Sequence, residues 1–401
     1  MHSTINHTWR PFLTAALLAV GVSSNADGQT RAEEIAAEQA KKAQALQPYT
    51  PTRPEAVLSR IEGRLMYPPR FAVTLDSVYS GGGFTLGALY HEPMGDRAFL
   101  TGRGLLSIKL YKLAEFGVVS PGHAGERLDL SARAGWRDAT QVGYFGQGND
   151  TDKDDRANYR FKETYLEGGL TFRPARWMPL DARVSYEDWQ LESGKGSAPS
   201  IETVYTPATA PGLGQSPTYL HTDLRAAVDW RYPGPMYARR GGFYGVAYNR
   251  YDDSDDALSF DRVDVELIQH VPIWRETWVL SLRTRVQSTI GDDDVVPYFM
   301  LPSLGGGHSL RAYTAFRYRD RHSLLASAEW RWIPNNVGLD MALFYDAGKV
   351  ASRRSALDFS NLTSNWGIGA RFHGPLATVL RIEAAKGGEG WHLVFSTSAP
   401  F

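Results

Sequence analysis

Two acidic side chains in the last quarter of the chain alternate with aromatic neighbours, which predicts that both face the polar side of a strand. Glu329 precedes Trp330, and Asp346 follows Tyr345. Two carboxylates on the same side of neighbouring strands need a cation, and a guanidinium binds carboxylates through two parallel hydrogen bonds. Arg311 lies in a glycine-rich segment just before the first of these strands. On this pattern alone, an ordinary ion pair on a polar wall and a loop held in place by that pair are both open.

The other residues with metal-binding or catalytic chemistry do not form a working pattern. The acidic run at 150–155 resembles a calcium loop, but Asp155 stands where an EF-hand needs glycine and Phe161 where it needs glutamate. The aspartates at 252–256 and 292–294 indicate solvated loops, with divalent bridging to lipopolysaccharide as a minor alternative. The HExxH, Gly-x-Ser-x-Gly and Walker motifs are absent from the sequence. We therefore predict no catalytic residue, metal site or cofactor, while a hydrolase site assembled from distant strands stays open.

Strands must position these acids, because apolar and polar side chains alternate with a period of two along most of the chain. Trp391, Leu393 and Phe395 alternate with polar or small residues in the segment that runs to Phe401. After residue 26 the sequence holds no segment long and apolar enough for a membrane helix. The pattern predicts an all-β fold, a transmembrane antiparallel β-barrel with lipid outside and a polar lumen inside. A water-soluble sandwich would also alternate, but the leader and the strands that end in aromatic residues favour the membrane.

About sixteen strands are expected, an even number of the kind that bacterial barrels use. The candidate strands are 71–78, 83–92, 98–110, 112–120, 126–137, 158–172, 177–190, 218–232, 241–251, 260–271, 276–288, 320–333, 338–347, 364–373, 376–385 and 391–400. If both termini are periplasmic, the long connections, including 289–319, all lie on the outer side and the short turns on the periplasmic side. This asymmetry is typical of outer-membrane barrels and supports the strand count.

The N-terminal residues indicate export. Arg10 precedes an apolar stretch and small residues follow it, which predicts a signal peptide over 1–26. Residues 27–66 are rich in helix formers and alanine and then in proline, so we expect a short periplasmic arm that is helical or disordered. The barrel would occupy 67–401, in the bacterial outer membrane with both termini periplasmic.

Composition limits the partners. The formal net charge is −1, which gives no electrostatic basis for binding nucleic acid. The chain has no cysteine, so disulfides, thiolate metal sites and cysteine nucleophiles are excluded. The partners we expect are outer-membrane lipid, lipopolysaccharide and an unidentified client or passenger protein.

The segment at 301–316, LPSLGGGHSLRAYTAF, resembles the sixth outer loop of the BamA/TamA-type outer-membrane assembly-factor superfamily, also called the bacterial surface-antigen family. The resemblance implies a sixteen-stranded barrel whose sixth outer loop folds into the lumen. It assigns Arg311 as the tip arginine, Tyr313 as the tip aromatic, and Glu329 and Asp346 as the acids that hold the tip. Three glycines precede the tip and would let the backbone turn and approach the wall: Gly305, Gly306 and Gly307.

Two departures from the family pattern affect what can be carried over. Ala312 stands where the tip usually has glycine, which questions a left-handed backbone at that position. The periplasmic polypeptide-binding (POTRA) repeats, which capture client chains in well-studied members, are not found in this sequence. A further segment, 143–150, is similar to one common in the family's third outer loop.

The family resemblance favours a barrel that assists insertion or translocation of proteins, or perturbs lipid, through a weak seam between the first and last strands. Trp391, Leu393, Phe395 and Phe401 are the candidate residues of that seam and of a C-terminal barrel signal. A gated or passive pore is the first alternative, and a membrane anchor without transport is the second. A loop folded into the lumen argues against an open pore.

Overall fold

The structure, a computed structural model, describes residues 25–45, 51–67, 69–292, 295–335 and 337–401. Of the predicted signal peptide, residues 1–24 lie outside the described residues, and so do two of the three acids at 292–294. The chain divides into one unit that ends at Pro51 and a second from Thr52 to Phe401, which holds the barrel.

The described residues form eighteen strands that follow one another along the chain. They are β1 Phe71–Leu75, β2 Thr85–Met94, β3 Ala98–Ser107, β4 Lys112–Gly122, β5 Leu128–Tyr144, β6 Ala157–Ala175, β7 Met178–Ser193, β8 Thr218–Asp229, β9 Gly241–Asp253, β10 Phe260–Trp274, β11 Trp278–Ile290, β12 Ser303–Leu304, β13 Tyr318–Arg319, β14 His322–Trp332, β15 Gly338–Ala351, β16 Thr363–His373, β17 Thr378–Gly387 and β18 Gly390–Ser396. The helices are α1 Asn25–Ala45, α2 Arg53–Met66, α3 His123–Glu126 and α4 Ile201–Val204, with a 3₁₀ turn at Arg354–Ala356.

Sixteen of these strands form one antiparallel sheet in which each strand pairs with the next along the chain, in the order β1 to β11 and then β14 to β18. The two remaining strands, β12 and β13, pair with each other inside the connection from β11 to β14. The predicted fold class and strand number are confirmed. Individual ends differ by a few residues because terminal pairing depends on contacts between neighbouring strands.

The alternation in the sequence separates a lipid-facing surface from a polar lumen. Apolar side chains such as Leu166, Val184 and Leu224 are exposed on the outer face. Their neighbours face inward and form ion pairs across strands, for example Arg133 with Glu167 at 2.7 Å. Opposite charges on facing strands stabilise the sheet. On the lumen side they also avoid the cost of placing a charge against lipid.

The two ends of the barrel differ. The longer connections meet at one end, which we call the long-loop end, and most connections at the other, the short-turn end, have five residues or fewer. Aromatic side chains from strands and loops pack together at the long-loop end. Tyr144 and Tyr159 lie 5.3 and 5.0 Å from the ring of Tyr298, and Trp189 lies 5.5 Å from Phe299. This buried cluster packs strands and loops together at the long-loop end.

One connection at the short-turn end departs from the predicted pattern of short turns. Residues 230–240, which we call the strap, join β8 to β9 but extend across the barrel to strands β14 to β17. Tyr237 packs on Val279 and Ile333, stacks on His373 at 4.3 Å and donates its hydroxyl to Asp340 at 3.1 Å. The alternating pattern ends before these residues, so the sequence did not indicate where they would bind.

We expect Tyr237→Phe to lower the free energy of unfolding by about 1–2 kcal/mol, because Asp340 loses a buried hydrogen bond while the ring stays packed. Thermal unfolding in detergent micelles measures this change. Tyr232→Phe is the matched control, since Tyr232 lies in the same strap with an exposed ring. Equal stability of the two variants would show that the Tyr237 hydroxyl contributes nothing.

Helix α2 docks against the short-turn end. Pro54 lies in its first turn, and the carboxylate of Glu55 accepts hydrogen bonds from the backbone N–H and hydroxyl of Thr52. The buried carboxylate of Glu62 accepts the backbone N–H groups of Leu376 and Ala377, both at 2.6 Å. None of the helices in the described part of the chain is long and apolar enough to span a bilayer.

Replacing Glu62 with glutamine should loosen α2 from the barrel. A neutral amide forms weaker hydrogen bonds to the two backbone N–H groups, and bonds to a charged group contribute about 1.5–3 kcal/mol. We expect faster hydrogen exchange over 53–66 without a change in the strands. Glu34→Gln, in the exposed face of α1, is the matched control. If exchange over α2 does not change, Glu62 does not hold the helix.

The two edge strands are short and end differently from the prediction. Strand β1 has 5 residues and β18 has 7, and they stand at the two ends of the strand order. The hydroxyl of Thr397 donates to the carbonyl of Leu75 at 3.3 Å. We call this junction the seam.

The predicted last strand, 391–400, is corrected: it ends at Ser396. Ser398 donates its backbone N–H to the Ser396 hydroxyl, and Pro400 has no N–H to continue a ladder. The chain therefore turns inward, and Phe401 lies 6.3 Å from His270 and below the guanidinium of Arg283. Trp391, Leu393 and Phe395 face outward and are 62%, 63% and 66% exposed, whereas Phe401 is not on that face.

Candidate functional site

The connection from β11 to β14, residues 291–321, folds back into the barrel, and we call it loop 6. Its start belongs to the aromatic cluster at the long-loop end, and its tip lies deeper in the lumen. The chain turns between β12 and β13, where Gly306 donates its N–H to the carbonyl of Tyr313 at 2.9 Å. This turn projects Arg311 towards the inner wall of β14, β15 and β17.

Arg311 is 1% exposed and sits at the centre of the site. Its Nε and Nη2 donate to the two carboxylate oxygens of Asp346, each at 2.8 Å, in a bidentate pair. Its Nη1 donates to Glu329 at 2.8 Å and to Glu383 at 3.2 Å. The guanidinium carbon lies 3.5 Å from the centre of the Phe344 ring. A planar, fully ionised group can form all of these contacts at once, which a lysine cannot.

Two further arginines complete the charge balance. Arg371 on β16 donates to Glu329 and Glu383, and Arg381 on β17 donates to Glu383 at 3.3 Å. The site therefore pairs three guanidinium groups with three carboxylates, each no more than 1% exposed. Burial of charges is tolerated only when each is paired and hydrogen-bonded. The cluster, which we call the lumen lock, comprises Arg311, Glu329, Asp346, Arg371, Arg381 and Glu383.

The aromatic residue of the tip anchors the loop higher in the barrel. The Tyr313 hydroxyl donates to the carbonyl of Ser364 at 3.2 Å and accepts the N–H of Gly388 at 3.0 Å. The preceding residue, Ala312, is not among the residues with positive φ. The tip therefore needs no glycine at that position, which answers the doubt raised by the departure from the family pattern.

The glycines before the tip let the loop backbone pack closely against its neighbours. Gly305 has φ of 113°, and a Cβ there would lie 2.2 Å from the carbonyl oxygen of Thr314. At Gly307 a Cβ would lie 2.9 Å from Val394 on the last strand, and its carbonyl accepts a hydrogen bond from Arg381 at 2.9 Å. The loop backbone therefore touches both the lumen lock and β18.

The segment at 143–150 also binds loop 6. Gly148 donates its N–H to the carbonyl of Arg319 at 2.9 Å, and Asn149 accepts the N–H of Val350 at 2.9 Å. Arg317 reaches the same region and lies 5.0 Å from the Phe145 ring. Gly148 and Phe145 therefore contact loop 6, whereas Asn149 contacts β15.

A serine, a histidine and a glutamate also meet on the inner wall, but not in the order that hydrolysis needs. The Nδ1 of His221 faces Glu187 at 2.8 Å, and Ser185 donates to the same carboxylate at 2.7 Å. The other ring nitrogen faces Asn249 at 3.1 Å. In a catalytic triad the serine binds the nitrogen opposite the acid, so this group does not activate Ser185.

Sequence reasoning missed three members of the lumen lock. Alternation places Arg371, Arg381 and Glu383 on the inward face of their strands, which is a usable signal. Alternation does not show how far these three side chains lie from the tip of loop 6. That distance depends on the barrel's shear and on how far loop 6 descends, and neither is written in a local pattern.

Comparisons with known proteins agree with this geometry. The model of the Omp85 superfamily domain matches residues 99–387. The chain is similar in structure to BamA from Haemophilus ducreyi lacking POTRA domains 1–3, with TM-score 0.59 and 14% identity, over 85% of this chain and 77% of that one. It is also similar to CdiB from Escherichia coli, with TM-score 0.51 and 14% identity, over 82% of this chain and 60% of that one.

No curated protein matches the chain by sequence. The chain spans less than two thirds of the CdiB structure, and at this level of identity the likeness to solved structures establishes the fold alone. The family match does not depend on these solved structures. It extends from β3 to β17 and includes loop 6 with all members of the lumen lock. The chain therefore belongs to the Omp85 superfamily.

Proposed function

We propose that this barrel assists the insertion or translocation of proteins at the bacterial outer membrane, with the short-turn end and both termini on the periplasmic side. The seam is the observation that carries the proposal. A transmembrane strand needs about 9–11 residues, whereas β1 has 5 and β18 has 7. When two edge strands separate, each presents backbone N–H and C=O groups that an extended client segment can pair with.

The position of loop 6 supports the same function. Gly307 lies against Val394 on β18, and the lumen lock holds loop 6 on β14, β15, β16 and β17, the strands that lead to the seam. We propose that the lock keeps this side of the barrel in one arrangement while the seam opens towards lipid. Outer-membrane lipid and lipopolysaccharide would then border the opening, and an unidentified client protein would enter it.

The pore alternative has less support. Loop 6 packs on the inner wall through the lumen lock and is buried there, and a loop inside the lumen argues against an open channel. A membrane anchor without transport would need neither short edge strands nor a lock beside them.

Folding of a client in liposomes tests the function. The protein is reconstituted, an urea-unfolded small outer-membrane barrel is added, and the heat-modifiable folded form is followed on gels. We expect faster folding than in empty liposomes. A steady single-channel current with no effect on client folding would favour the pore, and neither activity would favour the anchor.

Site-specific crosslinking in native membranes identifies partners independently. A photoreactive residue at position 393, on the exposed face of β18, should capture client chains or lipid at the seam. The matched probe is placed at position 184, on the exposed face of β7 far from the seam. Equal capture of the same proteins at both positions would contradict a seam-specific route.

A further inference from the structure

Helix α2 carries an apolar pair beside a basic stripe. Val57 and Ile61 lie four residues apart on one face and are 53% and 40% exposed. Arg53, Arg60 and Arg64 share the neighbouring face, because seven and four residues both return to the same side of a helix. All three arginines are exposed, and within the described residues none of them has an ion-pair partner.

The two acids of the helix do not neutralise this stripe. Glu55 is used at the N-terminus of the helix, where it accepts the N–H and hydroxyl of Thr52. Glu62 is buried against the β16–β17 turn. Among the residues that the structure describes, the three positive charges therefore have no acidic partner and lie next to exposed apolar side chains.

The helix is held at the level where the strands end. Glu62 fixes its middle to the β16–β17 turn, and only four residues separate its last residue, Met66, from the first residue of β1, Phe71. At about 3.3–3.6 Å per residue, that connector cannot carry the helix far from the strand end. Phe71 faces outward, 70% exposed, with its ring 5.0 Å from Tyr90. Aromatic residues at strand ends are typical of the membrane–water interface.

We propose that α2 lies on the membrane surface at the short-turn end and binds anionic phospholipid, with Val57 and Ile61 inserted and the three arginines on headgroup phosphates. An amphipathic helix with a basic flank is the kind of element that binds at an interface. Guanidinium groups bind phosphate oxygens bidentately. Each basic residue near an anionic surface strengthens binding by about fivefold. The position of α2 at the level of the strand ends, close to the outward-facing Phe71, favours anionic lipid over an acidic protein.

A fluorescent reporter on the whole protein tests this site. The chain has no cysteine, so Val57→Cys can be labelled with an environment-sensitive dye without background. The protein is reconstituted in phosphatidylcholine liposomes with or without phosphatidylglycerol. We expect blue-shifted emission and quenching by brominated lipid, both stronger with phosphatidylglycerol and weaker at high salt. Ser59→Cys, on the opposite face of α2, is the matched control and should respond little.

Charge variants separate lipid binding from folding. Replacing Arg53, Arg60 and Arg64 with glutamine should remove the effect of phosphatidylglycerol, whereas lysine at the same positions should retain most of it. Heat-modifiable mobility of each variant verifies that the barrel is folded. Identical emission at position 57 in both lipids, or the same response at positions 57 and 59, would overturn the proposal. Blue-shifted emission of the dye at position 57 in native membranes but not in liposomes would also overturn the proposal. It would indicate a protein partner.

Discussion

Replacing Arg311 with alanine is expected to lower the free energy of unfolding by about 3–5 kcal/mol, the range for breaking one partner of a buried ion pair. The substitution leaves three carboxylates facing two guanidinium groups in a region that water does not reach. Asp346 suffers most, because it loses both arms of its bidentate pair and retains Asn365 at 2.9 Å. Glu329 and Glu383 keep Arg371.

Urea unfolding in lipid vesicles, followed by tryptophan fluorescence, measures the loss. The same variant should expose loop 6 to protease over 289–319 and should leak more ions. Arg311→Lys is the matched control, since it keeps the charge but cannot supply the two parallel hydrogen bonds or stack flat on Phe344. Its stability should lie between those of the parent and the alanine variant.

A double-mutant cycle attributes the loss to the lock. Arg311→Ala and Asp346→Asn are measured alone and together, and we expect a coupling free energy of about 1–3 kcal/mol because the two side chains are in direct contact. Additive effects would mean that the pair does not hold the loop. A loop that stays protease-resistant in Arg311→Ala would mean that the aromatic cluster alone retains it.

Alternation along the strands was enough to predict the barrel and the inward acids, since an exact period of two assigns each side chain to a face. Alternation placed Glu329 and Asp346 on the inward face, and the resemblance to the family singled them out together with Arg311 and Tyr313. The strap could not be predicted, because Tyr237 lies in a connection without periodicity. Its partners, Asp340 and His373, belong to strands more than 100 residues later in the chain.

The end of the last strand illustrates a second limit. Ala399 and Phe401 share the parity of Trp391, Leu393 and Phe395 in the sequence. A prediction from residue types alone therefore extends the strand too far. Pro400 gave a contrary local signal, because it cannot donate a ladder hydrogen bond. Whether the strand continues past Ser396 depends on whether β1 offers backbone groups to pair with. Strand β1 ends at Leu75, so it offers none beyond that residue.

The second large effect should come from closing the seam with a covalent bond. Leu75 and Thr397 are the positions to replace with cysteine, because the hydroxyl of Thr397 already lies 3.3 Å from the carbonyl of Leu75. Neighbouring pairs on the same two segments cover small differences in register. Under oxidising conditions we expect a disulfide between β1 and the segment after β18. Client folding in liposomes should fall to the rate of empty liposomes and recover on reduction.

A second disulfide inside the sheet distinguishes loss of opening from loss of flexibility. Leu170 and Ala182 lie directly opposite each other on β6 and β7, far from the seam, and a cysteine pair there should leave activity unchanged. Both locked barrels should keep their heat-modifiable mobility, since neither bond alters the ladder of the sixteen strands.

The comparison of the two locked barrels decides between the functions because they share chemistry and differ only in the place of the bond. An insertion or translocation route through the wall requires β1 and β18 to separate, so only the seam lock can block it. A route along the lumen would not be affected by either disulfide. It would depend on loop 6 instead, which Arg311→Ala disturbs. Full activity of the seam-locked barrel would therefore reject the seam as the route and favour the pore or the anchor.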